Sequence, residues 1–216
     1  MKIILTWIFT GLLGVASLHA QDQLKALKIR EIHLANSRGW GIPVGQTSQI
    51  LRAKYSTNLG LDIGLQDKRY FLFPSIDFLS FKFNQAIPDP AYPYQIKNGN
   101  SYFYLLNLAA GRRIQWNKFA IHAYLGPGAG MVTEPRAMVD ADQVVHLKNK
   151  YYFTGSVRLG SGAHYQLGNV RLFADVSYLY NFRETQGAST QLLTIYGGIR
   201  TNITEVADRV IEIINN

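Results

Sequence analysis

The sequence contains no cysteine. Disulfides, thiolate nucleophiles, cysteine metal centres and a lipid-modified N-terminal cysteine are therefore excluded. Beyond its first twenty residues it also lacks any run of 18 consecutive apolar residues, so a conventional transmembrane helix has nowhere to form. A basic stripe is missing too. The 22 Lys and Arg outnumber the 14 Asp and Glu, giving a formal charge of +8, but they are scattered singly. That scatter speaks against a nucleic-acid partner and suits attraction to anionic lipid headgroups.

What is present begins with a leader. Met1–Ala20 carry one early cation, Lys2, then an apolar stretch from Ile3 to Leu18, and give way at Ala20 to the polar Gln21-Asp22-Gln23. This is the composition of a cleaved signal peptide, so export is expected. The remaining residues suit one domain: 21–203 as the body and 204–216 as a C-terminal tail, with Val206, Val210 and Ile214 at helical spacing.

From residue 21 to 203 the dominant signal is alternation with period two, the signature of strands whose side chains point to opposite faces. It is clearest in residues 151–182. Tyr151, Phe153, Val157, Leu159 and Tyr165 oppose Arg158, Gly160, Gly162 and His164. After the turn Leu167-Gly168-Asn169, residues Val170, Leu172, Val176, Tyr178, Tyr180 and Phe182 oppose Arg171, Asp175 and Ser177. The same pattern predicts strands within 24–42 and over 50–65, 69–83, 101–115, 119–132 and 190–202, eight in all. In the third, the apolar phase slips at Phe78-Leu79, as at a β-bulge. These runs exceed the usual soluble strand and match the roughly 9–11 residues a tilted strand needs to cross a bilayer.

Without a helix, only a closed barrel satisfies every backbone amide in lipid. A soluble calyx would show the same period with its apolar face inside. Three features favour lipid. Glycines, among them Gly60, Gly64, Gly111, Gly126, Gly160 and Gly198, collect on the charge-bearing face, where they relieve crowding in a narrow interior. Aromatic residues of the apolar face gather at strand ends, predicting girdles of Tyr102, Tyr104, Tyr151, Phe153, Tyr178, Tyr180 and Phe182 at one interface and Tyr70, Phe119 and Tyr165 at the other. Connections alternate between tight turns and longer loops, notably 84–100 and 133–149, as short periplasmic turns and external loops do. The expected fold is all-β: an eight-stranded antiparallel up-and-down transmembrane β-barrel.

In this pattern the chain resembles the small eight-stranded outer-membrane proteins of the OmpA/OmpX type. Its Tyr-rich, Gly-punctuated strands are similar to those of Bacteroidota outer-membrane β-barrel proteins, the PorT-like ones included. The resemblance covers the body to about residue 203 and implies a Gram-negative outer-membrane location. One departure is that the last strand does not end the chain on an aromatic residue.

The charge-bearing face predicts a polar network in the lumen of Glu31, Arg52, Lys54, Asp62, Asp77, Arg113, His122, Arg158, His164, Arg171, Asp175 and Arg200, paired because unpaired charges are costly there. Arg112 is expected as the one charge on the lipid face. His122 and His164 lack neighbours at metal or catalytic spacing, and Gly126-Pro127-Gly128-Ala129-Gly130 lacks the Lys and helix of a phosphate loop. No catalytic residue, metal or cofactor is expected. The leading expectation is a non-enzymatic barrel with a structural or interaction role, its partners being outer-membrane lipid and a protein met through loops 84–100 and 133–149 or the 204–216 tail. The alternatives are a narrow solute or ion channel, an accessory component of a secretion or assembly machine, and a lipid-modifying enzyme.

Overall fold

The computed structural model describes residues 29–67, 69–87, 95–139, 142 and 144–204. The leader and all of the tail but Thr204 lie outside them. The strands are β1 (Ile29–Pro43), β2 (Leu51–Ala53), β3 (Tyr55–Leu65), β4 (Tyr70–Phe83), β5 (Gly99–Trp116), β6 (Phe119–Val139), β7 (Val145–Leu167), β8 (Val170–Thr185) and β9 (Ala188–Asn202). A short helix, α1 (Thr47–Ile50), precedes β2. β2 and β3 are two pieces of one stave, so the barrel has eight.

Neighbouring strands pair antiparallel throughout, and β1 pairs with both β3 and β9, which closes the ring. Register partners can be followed once around it: Glu31, Gly64, Phe71, Gly111, Tyr124, Gly160, Ser177, Thr194 and back to β1 at Gly41. The return lies ten residues beyond the start. That stagger sets a strand tilt of about 40° and an interior that side chains fill.

The alternation sorts cleanly between wall and lumen. Leu106 is 62% exposed, and Leu108, Leu125 and Leu159 are comparably bare on the outside. Asp62, Asp77, Arg158 and Arg200 are buried inside. An exterior this apolar over a full circumference is a lipid-facing surface and would aggregate in water. The barrel is a transmembrane one.

Three local expectations are corrected. Alternation in β4 is unbroken, with Phe71, Phe73, Asp77, Leu79, Phe81 and Phe83 all inward. The apparent slip at Phe78-Leu79 is a change in what lines the lumen, from polar to apolar. The bulge sits instead at Lys54, where pairing with β4 shifts by one residue between Ala53↔Phe81 and Thr57↔Phe78. Residues 133–149 are mostly strand: β6 and β7 stay paired from Thr133↔Tyr151 to Val139↔Val145, as a ribbon projecting beyond their neighbours. The link between β8 and β9, expected as a short connection over 184–189, is tighter still, a two-residue turn of Gln186-Gly187, both at positive φ.

Candidate functional site

The lumen is layered. Nearest the Leu167-Gly168-Asn169 end lies a network centred on Asp62. Its carboxylate accepts from Arg113 Nη2 and, at 2.9 Å, from Arg200 Nη1, with Arg171 Nη1 at 3.9 Å. Arg171 donates to Glu31 at 2.8 Å, and Arg200 also donates to Asp175 at 3.1 Å. Arg171 and Arg200 are direct register partners on β8 and β9, a like-charge pair that the carboxylates bridge. The guanidinium carbons lie over aromatic faces, Arg113 at 4.4 Å from Phe71 and Arg200 at 4.3 Å from Phe173.

His122 Nε2 meets Asp175 Oδ1 at 2.7 Å across β7, whose intervening register position is Gly162. A Cβ on Gly162 would stand 1.9 Å from that carboxylate oxygen and 2.4 Å from the Ala174 carbonyl oxygen. Gly162→Ala is therefore expected to part His122 from Asp175 and cost about 1–3 kcal/mol, read as a lower urea midpoint in lipid vesicles.

A second layer surrounds Asp77. It accepts from Arg158 Nη1 at 2.9 Å, Asn107 Nδ2 at 2.7 Å and Asn58 Nδ2 at 2.8 Å, while Arg158 Nε donates to Ser177 Oγ at 2.9 Å and Ser177 pairs with Thr194. Above it the lumen turns apolar. Leu51, Leu79, Phe81, Phe83, Phe103, Leu105, Leu179 and Leu192 form a buried plug, with the Phe81 and Phe103 rings 5.1 Å apart. Ile50 of α1 packs into it, held by Thr47, which donates to the Ser189 carbonyl at 2.7 Å and accepts from Gln191 N at 3.1 Å.

Of the residues expected in the lumen, Glu31, Asp62, Asp77, Arg113, His122, Arg158, His164, Arg171, Asp175 and Arg200 face it. Arg52 does not. The bulge at Lys54 reverses the phase, so Leu51 turns into the plug and Arg52 outward to solvent. Lys54 is half-buried at the ribbon end and donates to Asn100 Oδ1 at 3.2 Å. Without these two cations the lumen holds, among the described residues, four Arg (113, 158, 171, 200) against four carboxylates (Glu31, Asp62, Asp77, Asp175). A low-dielectric interior favours that neutrality. Alternation also puts His33, Asn58, Asn107 and Phe173 on the charge-bearing face, and they line the lumen although they were not expected in its network; the inward Phe71 and Phe73 were not foreseen.

On the wall, Tyr70, Phe119 and Tyr165 mark the turn end, and Tyr102, Tyr104, Tyr151, Phe153, Tyr178, Tyr180 and Phe182 the ribbon end. Trp116 joins the first girdle, and Trp40, Tyr55 and Phe78 the second. Arg112 is exposed on the wall as expected, but Arg38 on β1 is exposed there as well, so Arg112 is not alone.

Beyond the girdle, Glu134 is buried at the base of the ribbon and accepts from Arg136 Nη2 at 2.9 Å. Burial outweighs the cation and raises its carboxyl above the ordinary 4.5. A raised folded-state value contributes stability below the unfolded value and loses it as pH rises through the folded one. Glu134→Gln is expected to gain on the native barrel as pH is raised from about 4.5 towards neutrality, checked by unfolding midpoints across that range.

No family model and no curated protein matches this chain. Solved structures do. Neisserial surface protein A is 9% identical, with a TM-score of 0.56 over 81% of this chain and 98% of that one. Ail, the attachment invasion locus protein of Yersinia pestis, solved with the heparin analogue sucrose octasulfate, is 14% identical (TM-score 0.42, 80% and 97% covered). The N-terminal β-barrel domain of Pseudomonas aeruginosa OprF is 12% identical (TM-score 0.37, 82% and 100% covered). The fold likeness is carried by the first, and with the closed ring and bare apolar wall it makes this chain, in fold, a small eight-stranded outer-membrane-type β-barrel.

Proposed function

We propose that the protein is a sealed, non-enzymatic outer-membrane barrel that works through its ribbon, with the turns at Asn117, Gly168 and the 66–69 segment in the periplasm and the ribbon outside the cell. The observation that carries this reading is the filled lumen, two hydrogen-bonded charged layers below an aromatic plug. Among the described residues the projecting β6–β7 ribbon is a surface available for interaction. Leu147 there is 70% exposed, with Met138, Val144 and Val145 also bare and Lys148 and Lys150 beside them. Such a mixture of apolar and cationic side chains suits a protein partner with an acidic, partly apolar face. The His122–Asp175 contact is buried in the lower layer, away from the ribbon end.

Two measurements test this. Purified barrel in planar bilayers is expected to be electrically silent, and steady conductance that changes on Arg158→Ala would overturn the sealed reading. Because the chain has no cysteine, Leu147→Cys is a clean label site. On intact cells it is expected to react with an impermeant maleimide, whereas Gly168→Cys reacts only after the outer membrane is breached.

A further inference from the structure

Two hollows meet at Arg112 on the barrel wall. One, of about 560 Å³ at the turn-end rim, is lined by Arg69, Arg112, Arg113, Gln115 and Asn117. The other, of about 640 Å³, runs up the lipid-facing wall from Arg112. Its floor is Ala123, Ser161, Ala163 and Ala174, and Ile121, Val176 and Ile195 form its banks. Register explains the shape. Arg112, Ala123 and Ser161 stand in one cross-strand row, and Ile121, Ala163 and Ala174 in the next, so small side chains adjoin over three strands and the wall is locally thin.

The charge at the foot of this trough lacks a counterpart. Arg112 is exposed beside its register partner Tyr70, at girdle level, and makes no ion pair among the described residues. The Arg69 guanidinium has, among the described residues, one ion pair, an exposed contact with Asp67 at 3.7 Å. Arg113, the next residue along β5, turns the other way, into the lumen, and is held by Asp62. Cations gathered at a lipid edge are stabilised by an anion brought to them. Guanidinium groups recognise phosphate best.

We infer that the two hollows form one binding site for an anionic glycerophospholipid of the periplasmic leaflet. Its phosphate sits on Arg112 and Arg69, and one acyl chain lies in the trough over Ala163 and Ala174. The leaflet follows from the orientation proposed above. The phosphate donors and the apolar trough are continuous, which fits a lipid with a charged head and a long chain better than a second barrel or a soluble anion.

The test is native mass spectrometry of the delipidated full-length barrel titrated with phosphatidylglycerol or phosphatidylethanolamine. Phosphatidylglycerol is expected to be retained several-fold better. Arg69→Gln with Arg112→Gln should erase that preference, and Ala163→Phe with Ala174→Phe should lower retention with every charge in place. Arg30→Gln, an exposed cation on β1 three staves away, should change nothing. Heat-modifiable gel mobility reports that each variant is folded. Equal retention of the two lipids by the native barrel, an unaffected trough variant, or an Arg30→Gln loss as large as the double variant's would each overturn the site. Labelling of Gly168→Cys on intact cells would instead overturn the leaflet and the functional orientation together, so the two failures are told apart.

Discussion

Asp62→Asn is expected to destabilise the barrel by about 3–5 kcal/mol, the cost of removing one partner from a buried charged cluster. Asp62 is fully buried and its carboxylate serves Arg113, Arg200 and Arg171 together. Removing its charge leaves three guanidinium groups facing Glu31 and Asp175 alone. The amide keeps the shape, so the loss is electrostatic and not a cavity. Urea titration of the barrel folded into lipid vesicles measures it, with Trp40 and Trp116 on the wall as fluorescent reporters. A change under about 1 kcal/mol would mean that the layer is screened like a surface pair, and the view of it as the polar core would have to be given up. Arg112→Gln, on the wall, should cost far less in the same assay.

Phe81→Ala should cost about 3–5 kcal/mol, because it hollows the plug where Phe81 and Phe103 are both fully buried and 5.1 Å apart. Relative to the aqueous unfolded chain, the loss combines transfer free energy with contacts that the neighbouring side chains cannot remake. Phe81→Leu keeps most of the volume and should stay within about 1.5 kcal/mol. Equal midpoints for the alanine and leucine variants would show that the upper lumen is not packed. Neither variant is expected to conduct, since the Asp77–Arg158 layer still closes the lumen beneath the plug. Conductance from Phe81→Ala alone would place the whole seal in the plug.

The polar lumen was legible because period two is written into each strand separately. Asp62, Asp77, Arg158, Arg171 and Asp175 each sit between apolar neighbours and Arg200 follows Ile199, so any strand assignment puts them on the same face. The plug was not legible for the same reason. Where the lumen becomes apolar, Leu79, Phe81 and Phe83 point inward and Ser80 and Lys82 outward, so the polar contrast is inverted and reads as a change of phase. The change at Phe78-Leu79 therefore imitated a bulge, while the true bulge at Lys54 fell in a polar stretch and left Arg52 on the wrong side. Charge balance was the usable clue: six cations against four carboxylates is implausible in a closed interior, and dropping Arg52 and Lys54 restores neutrality.

By itself the sequence determined the strands, most of their two faces and the exclusion of a membrane-spanning helix, since all of these follow from the local pleat and from which side chains tolerate lipid. The tertiary structure alone decided that Asp62 meets Arg113 and Arg200, that Asp175 reaches His122 over Gly162, and that β6 and β7 run on into a ribbon. Partners across the lumen depend on the ten-residue stagger accumulated around the whole ring, and no single strand carries that quantity.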